Sequence, residues 1–360
     1  MVKSALGLFV SILFLQVGIA QAFAADDASA DDVQAKPESS KVVGHKHRVR
    51  HHAPVASTSP RQHVTYVHGH RHVAVQRVAY APAYAVPSVG DQEGLNRTKD
   101  DLDLKSSVAL VFDESNSQVL LDKNSEVALP IASITKLMTA LVVVEAKQDM
   151  TEILEITDED IDREKNSSSR LRPGVRMSRA DMMHIALMSS ENRAASALGR
   201  NYPGGLAAAV AAMNAKAKAL GMNDTHYVEP TGLSSQNVAS ARDLAKLVAA
   251  AHQEPLLCQF STDSRYVVAA GGRELQYANS NHLVSNPTWD ILLQKTGYIN
   301  EAGHCMVMRA MIEGRAIIMV FLDSKGKDSR IADAGRIRKW LEAVKATTAA
   351  HLAGAQQAAM

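Results

Sequence analysis

The chain has 360 residues, 46% of them hydrophobic, with 39 lysines and arginines against 38 aspartates and glutamates. That length allows one large domain or two lobes with an ample core, and a net charge of +1 excludes a whole-chain preference for polyanionic partners. The two cysteines, Cys258 and Cys305, are single, far apart and embedded in apolar sequence. They suit a disulfide in an oxidising compartment or two buried thiols equally well, and no catalytic role is assigned to either.

Residues 1–24 read as a secretory signal, with Lys3 before an apolar run over residues 6–19 and Ala22-Phe23-Ala24 as the small-x-small cleavage site. The alternative, an uncleaved anchor, is disfavoured because the run is shorter than the ~20 residues of a span. The mature protein is therefore expected in the periplasm, with no membrane span. Residues 25–104 read as a disordered, cationic, histidine-rich linker. No acidic residue lies between Ser39 and Gly90, whereas Lys41, Lys46, Arg48, Arg50, Arg61, Arg71 and Arg77 are positive, and eight of the 14 histidines fall here. A solvated spacer is the expected role. His68, His70 and His72 leave open weak metal or anion binding, or a tether that gains charge near pH 6 and adheres to anionic envelope polymers.

Order is expected from Lys105. Residues 106–113 predict a strand, 114–117 a polar turn and 118–122 its hairpin partner. Pro130 then precedes a helix to about Lys147, with Ile134, Leu137, Met138, Leu141 and Val142 on one stripe. Residues 157–176 are polar and irregular. Ser178-Arg179-Ala180-Asp181 opens a second helix, the run Ser189-Ser190-Glu191-Asn192 breaks it, and residues 194–198, 206–220 and 241–252 read as further helices. Strands are expected at 266–268, 275–277, 289–295, 304–311 and 315–322, the last two joined at Glu313-Gly314, and a terminal helix at 329–344 before a flexible tail over 346–360. The pattern is α+β: an antiparallel sheet built from both ends of the chain, flanked by helices, with a mostly helical lobe inserted between.

Three short motifs occur in order. Ser133 and Lys136 are spaced so that one helical turn brings a hydroxyl to an amine, a nucleophile beside a possible base. Ser-x-x-Lys alone is expected about once by chance in such a chain. Ser190-Glu191-Asn192 follows at a helix break, and Lys295-Thr296-Gly297 at a strand end. The ordered triple is the signature of penicillin-binding proteins and serine β-lactamases. Residues 131–144 (IASITKLMTALVVV), 169–174 (SRLRPG), 187–195 (LMSSENRAA), 202–205 (YPGG), 213–222 (MNAKAKALGM), 228–234 (VEPTGLS) and 295–308 resemble the D-alanyl-D-alanine endopeptidases of penicillin-binding protein 7 type, which are low-molecular-mass serine D,D-peptidases. The resemblance covers about residues 105–341. The sequence departs from the related carboxypeptidases at Ser-Glu-Asn-Arg, where they commonly carry Ser-Gly-Asn, and in showing no amphipathic C-terminal anchoring domain.

The resemblance implies a β-lactamase/D,D-transpeptidase-like fold and hydrolysis of D-alanyl cross-links in peptidoglycan, with β-lactams as inhibitors and without cofactor, metal or nucleic acid. Ser133 would be the nucleophile, and Lys136 its base, with a pKa lowered by burial and by nearby Lys295. Ser190 would relay a proton to the leaving amine. Asn192 would hold the substrate amide, Lys295 and Thr296 its carboxylate, and Gly297 would let the strand approach. The backbone N–H groups of Ser133 and Tyr298 would form the oxyanion hole. Glu191 and Arg193 are the residues named for a preference for cross-links over terminal D-alanine, so a carboxypeptidase remains open. So does a β-lactamase, for which Glu229 is the one nominated deacylating base, its simpler reading being a loop carboxylate that supports the helical lobe. A non-catalytic wall-binding protein is the remaining alternative.

Overall fold

The computed structural model describes residues 86–345 with their side chains, together with the backbone of two short N-terminal strands and of residues 346–358. The expected signal sequence, and His68 of the histidine cluster, lie outside the described residues. Two compact units divide near Ala79. In the first, strand β1 (Gln62–Val67) pairs antiparallel with β2 (His70–Val75), Thr65 opposite His72. This pairing falls in a stretch for which the sequence suggests no persistent period.

The second unit is organised by a five-stranded antiparallel sheet. Its strands are β3 (Ser106–Asp113), β4 (Gln118–Lys123), β11 (Asp290–Ile299), β12 (Gly303–Ile312) and β13 (Arg315–Ser324), in the order β11-β12-β13-β3-β4. Strands from the two ends of the chain meet where Val320 faces Leu110 and Met319 faces Val111. Both faces of the sheet are covered, so the central strands are apolar throughout rather than alternating. Val108, Leu110, Ile318, Val320 and Leu322 face the helical lobe. Ala109, Val111, Ile317, Met319 and Phe321 pack with Ala334, Ile337 and Leu341 of helix α8 (Ser329–Ala358). Buried Asp333 of that helix accepts bonds from the amides of Lys105 and Ser106 and from Ser106 Oγ, fixing where β3 begins.

Between the strand groups lie helices α2 (Thr135–Glu145), α3 (Arg179–Met188), α4 (Asn192–Arg200), α5 (Gly205–Ala219), α6 (Ala241–Ala251) and α7 (Pro255–Thr262). Residues 135–143 of α2 are all buried, Thr135, Lys136 and Thr139 among them, as befits a helix surrounded by others. Ser178 Oγ accepts the Asp181 amide at the start of α3, and Gly221 closes α5 with φ +68°. Paired short strands complete the lobe: β5 (Leu129–Pro130) with β8 (Val238–Ala239), β6 (Ile153–Glu155) with β7 (Arg176–Ser178), and β9 (Arg265–Ala270) with β10 (Arg273–Ala278).

Three boundaries differ from the sequence-based expectation. Ordered structure precedes Lys105: α1 (Val89–Gln92) and a 3-10 turn (Leu95–Arg97) are followed by Asp100, which accepts the amides of Leu102 and Leu104 and pairs with Lys123 at 2.8 Å. Side-chain bonding, not apolar periodicity, orders this polar segment. Helix α7, which buries Leu257 and Phe260, falls where no element was expected. The last helix continues to Ala358, through residues expected to form a tail. Both cysteines are free thiols. Among the described residues no helix is long and apolar enough to cross a membrane, and no group of three His, Cys, Asp or Glu side chains is placed to hold a metal ion.

Candidate active site

Ser133 sits in a 3-10 turn, Ala132–Ile134, wedged between the end of β5 and the start of α2. Ala132 has φ +47°, a conformation costly for a residue with a Cβ. The surrounding loops leave no slack. A Cβ on Gly232, whose φ is +82°, would stand 1.9 Å from the Ala132 carbonyl oxygen. On the other side, a Cβ on Gly297 of β11 would meet Ile131 O at 2.9 Å and Ser133 N at 3.0 Å. The close approach expected of Gly297 is therefore present, and it brings the edge strand against the amide of Ser133.

Lys136 lies on the first turn of α2, 1% exposed. Its Nζ is 2.7 Å from Ser133 Oγ, 2.7 Å from Asn192 Oδ1 and 2.5 Å from the Thr231 carbonyl. An ammonium offers three donors to these three acceptors. A neutral amine can keep the bonds to Asn192 and Thr231 and turn its lone pair to the Ser133 hydroxyl. Burial pushes the Lys136 pKa down to about 8, while Glu229 and Glu191 hold it from falling further. The expected influence of Lys295 falls instead on Lys295 itself, which is buried and pushed down first by desolvation and then by the charges of Lys136 and Arg330.

Ser190 has φ +62° and turns its Oγ to Lys295 Nζ at 2.9 Å, so the geometry links it to Lys295 rather than to Lys136. Asn192 joins Lys136 to the loop before α3, its Nδ2 donating to Ser167 Oγ at 2.9 Å. Lys295 also donates to the Thr296 carbonyl at 2.7 Å, and the hydroxyls of Thr296 and Ser280 are 2.7 Å apart. Ser133, Ser190, Asn192, Thr296, Gly297 and Tyr298 line one cleft of about 430 Å³.

Sequence reasoning missed other walls of this cleft: Lys165, Ser167, Leu233, Asn300 and Arg330. Arg330, from the first turn of α8, brings a guanidinium whose Nη1 is 2.9 Å from His304 Nδ1 and 3.5 Å from the Gly297 carbonyl. It forms no ion pair among the described residues, and its Nε is buried without a partner. Nothing in the sequence around residue 330 marks it; only the fold returns the C-terminal helix to the cleft.

Three nominated side chains serve the scaffold instead. Glu191 caps α4 by accepting the Arg193 amide at 3.3 Å, and Arg193 Nη1 donates to the Leu171 carbonyl at 2.6 Å. Neither is among the residues that line the cleft. Glu229 accepts the amides of Thr231 at 2.5 Å and Gly232 at 2.6 Å, the Thr231 hydroxyl at 2.6 Å and Asn237 Nδ2 at 2.9 Å. A carboxylate so engaged is the tie that shapes the 229–232 loop, not a free base.

Residues 95–326 match the S11 peptidase family, described as D-alanyl-D-alanine carboxypeptidase. A D-alanyl-D-alanine endopeptidase of Pseudomonas aeruginosa is 51% identical over 68% of this chain and 80% of its own length. The protein of the same name from Escherichia coli K12 is 45% identical over 68% and 79%. Among solved structures, the Streptomyces K15 DD-transpeptidase superposes with a TM-score of 0.62 at 23% identity, covering 68% of this chain and 98% of that one, which shows the fold. A point mutant of that enzyme gives 0.61 at 25% identity, over 66% and 97%. The β-lactamase/D,D-transpeptidase-like architecture anticipated from the motifs is thus the one observed, and the chain belongs to the S11 family of serine D,D-peptidases.

Proposed function

We propose that the protein is a periplasmic D,D-endopeptidase that cleaves D-alanyl cross-links of peptidoglycan through an acyl-enzyme on Ser133 and is inhibited by β-lactams. The observation that carries the reading is the 2.7 Å contact between Ser133 Oγ and a buried lysine whose pKa is pushed down to about 8. About a tenth of Lys136 is then neutral at pH 7, enough to serve as a base without external activation.

As Ser133 Oγ bonds to the D-alanyl carbonyl carbon, its proton passes to Lys136 Nζ and the carbonyl oxygen becomes an oxyanion. The amides of Ser133 and Tyr298 are the donors for that charge. Collapse of the intermediate breaks the C–N bond, the proton goes to the departing nitrogen, and an ester remains on Ser133. Water then attacks the ester, giving up its proton along the same route and freeing the peptide carboxylate. Thr296 and Arg330 put a hydroxyl and a guanidinium on the cleft wall, where a substrate carboxylate next to the scissile bond would sit, with buried Lys295 behind them. The edge of β11 offers backbone groups for a peptide laid beside it.

The names of the two relatives above favour a cross-link over a terminal residue as the scissile bond, whereas the family description favours terminal D-alanine. Digestion of purified cross-linked muropeptide dimers beside pentapeptide monomers distinguishes them. The endopeptidase reading requires dimers to become monomers; release of D-alanine with dimers intact replaces it by the carboxypeptidase. Ser133→Ala should abolish both reactions, and an unchanged rate would remove Ser133 as nucleophile.

A further inference from the structure

We infer that His304 is a positioning residue for Arg330, and that its protonation weakens binding of substrates that carry a carboxylate beside the scissile bond. This rests on the reading of Arg330 as part of the carboxylate end of the cleft. Arg330 has only one close hydrogen-bond acceptor among the described residues, the Nδ1 of His304 at 2.9 Å, with the Gly297 carbonyl more distant at 3.5 Å. An arginine side chain has no acceptor, so the contact exists only while Nδ1 is unprotonated and the ring proton is on Nε2. The His304 ring is itself held by stacking on Tyr298, with centroids 4.3 Å apart. A continuous path therefore runs from β12 through His304 to the guanidinium, and Tyr298 belongs to both the cleft wall and the stack.

The groups around His304 favour the neutral ring. Arg330 and Lys327 are positive, Asp328 is negative, and burial is the largest influence, so the pKa lies below the ordinary 6.5. On the β13 side Ser324 is its register partner, and the nearby hollow holds Asp91, Asp323 and Lys325. Those three are engaged with one another: Lys325 Nζ is 2.7 Å from Asp91 and 2.9 Å from Asp323. Both carboxylates are thus turned to Lys325, and the charge in direct contact with His304 is the Arg330 guanidinium. His304 lines this hollow and not the catalytic cleft, so a proton on it acts first on the guanidinium 2.9 Å away. The contact becomes repulsive, and Arg330 loses the acceptor that aims it.

The pH profile separates this from the catalytic lysine. The Lys136 limb lowers kcat/KM tenfold per pH unit below about 8. His304 adds a second fall below 6.5, borne by KM. The test is steady-state cleavage by the full-length enzyme between pH 4.5 and 9, with circular dichroism confirming the fold at each pH. One substrate is a cross-linked muropeptide dimer that keeps its carboxylate beside the scissile bond, and the other is the same dimer with that carboxylate converted to an amide. For the acid, KM should rise roughly tenfold below the His304 transition; for the amide it should not. His304→Gln, which still presents an acceptor but does not titrate, should lose the second fall and keep the Lys136 limb. His304→Lys, which presents none, should show a raised KM for the acid at every pH. A KM for the acid that is flat or falls at low pH in the wild type overturns the inference while leaving the serine mechanism standing. Failure to cleave either substrate at any pH strikes the underlying reading instead.

Discussion

The Nζ of Lys136 stands 2.7 Å from Ser133 Oγ and 2.7 Å from Asn192 Oδ1, so one buried amine joins the first motif to the second. A base must give up its own proton, and a guanidinium cannot at any working pH. Lys136→Arg should therefore slow acylation by about 10²- to 10⁴-fold, measured as the rate of covalent labelling by a fluorescent penicillin. In the wild type that rate should climb as pH rises through about 8, where Lys136 becomes neutral. A labelling rate independent of pH between 6 and 9 would exclude Lys136 as the base.

The same depressed pKa has a thermodynamic consequence. Unfolded, Lys136 binds its proton up to 10.5; folded, only up to about 8. Between those values the unfolded state holds more protons, so the group makes the folded state relatively more stable as pH rises. Below about 8 its full cost applies. The stability of wild type minus that of Lys136→Met should accordingly increase by on the order of 3 kcal/mol between pH 7 and 11, read from urea unfolding at each pH. A difference that shrinks over this interval would contradict the assigned burial of the amine.

Gly297 is a test of packing rather than of charge. A methyl group there would press on Ile131 O at 2.9 Å and Ser133 N at 3.0 Å, both backbone atoms of the nucleophile turn. Gly297→Ala should part the strand from the turn and reduce acylation by about 10²- to 10³-fold, the worth of one oxyanion donor. Because β11 is an edge strand, its thermal unfolding midpoint should move by only a few degrees. Acylation at the wild-type rate would show that the turn can yield.

For Glu229 the expectation is the reverse. Replacing it with glutamine removes the charge that Thr231, Gly232 and Asn237 all address. The loss should be about 1–3 kcal/mol of stability in denaturant unfolding, with the lifetime of the penicilloyl adduct unchanged. A markedly longer-lived adduct at unchanged stability would restore Glu229 as a deacylating base.

How much of this was legible in the sequence depended on whether a feature was local. The strand at Ser106–Asp113, the Ser178 cap and the Glu313-Gly314 turn, with φ of +53° and +77°, each follow from a few adjacent residues. The three motifs were readable because their order is rare, and the cleft does unite them. Arg330, Ser167 and Ser280 were not readable: each reaches the site through folding of a distant segment, and none carries a local pattern. Glu191 and Arg193 show the opposite case. Adjacency to Asn192 in sequence suggested a shared role, but at a helix N-terminus successive side chains point in different directions, and these two turn back into the scaffold. The order before Lys105 escaped because an aspartate, not an apolar stripe, organises it.

Strand β3 lies between β4, its neighbour in sequence, and β13, some two hundred residues later. Its partner on one side thus exists only after nearly the whole chain is available, and Lys295 and Arg330 belong to that same late portion. The nucleophile, encoded near the beginning of the domain, has no completed cleft until the last strand and helix arrive. Contacts so distant in sequence are of the kind that slows folding. Hydrolytic competence therefore requires the pairing of the chain's two ends, and a truncated chain lacking β13 would carry the Ser133-x-x-Lys136 motif without an enzyme around it.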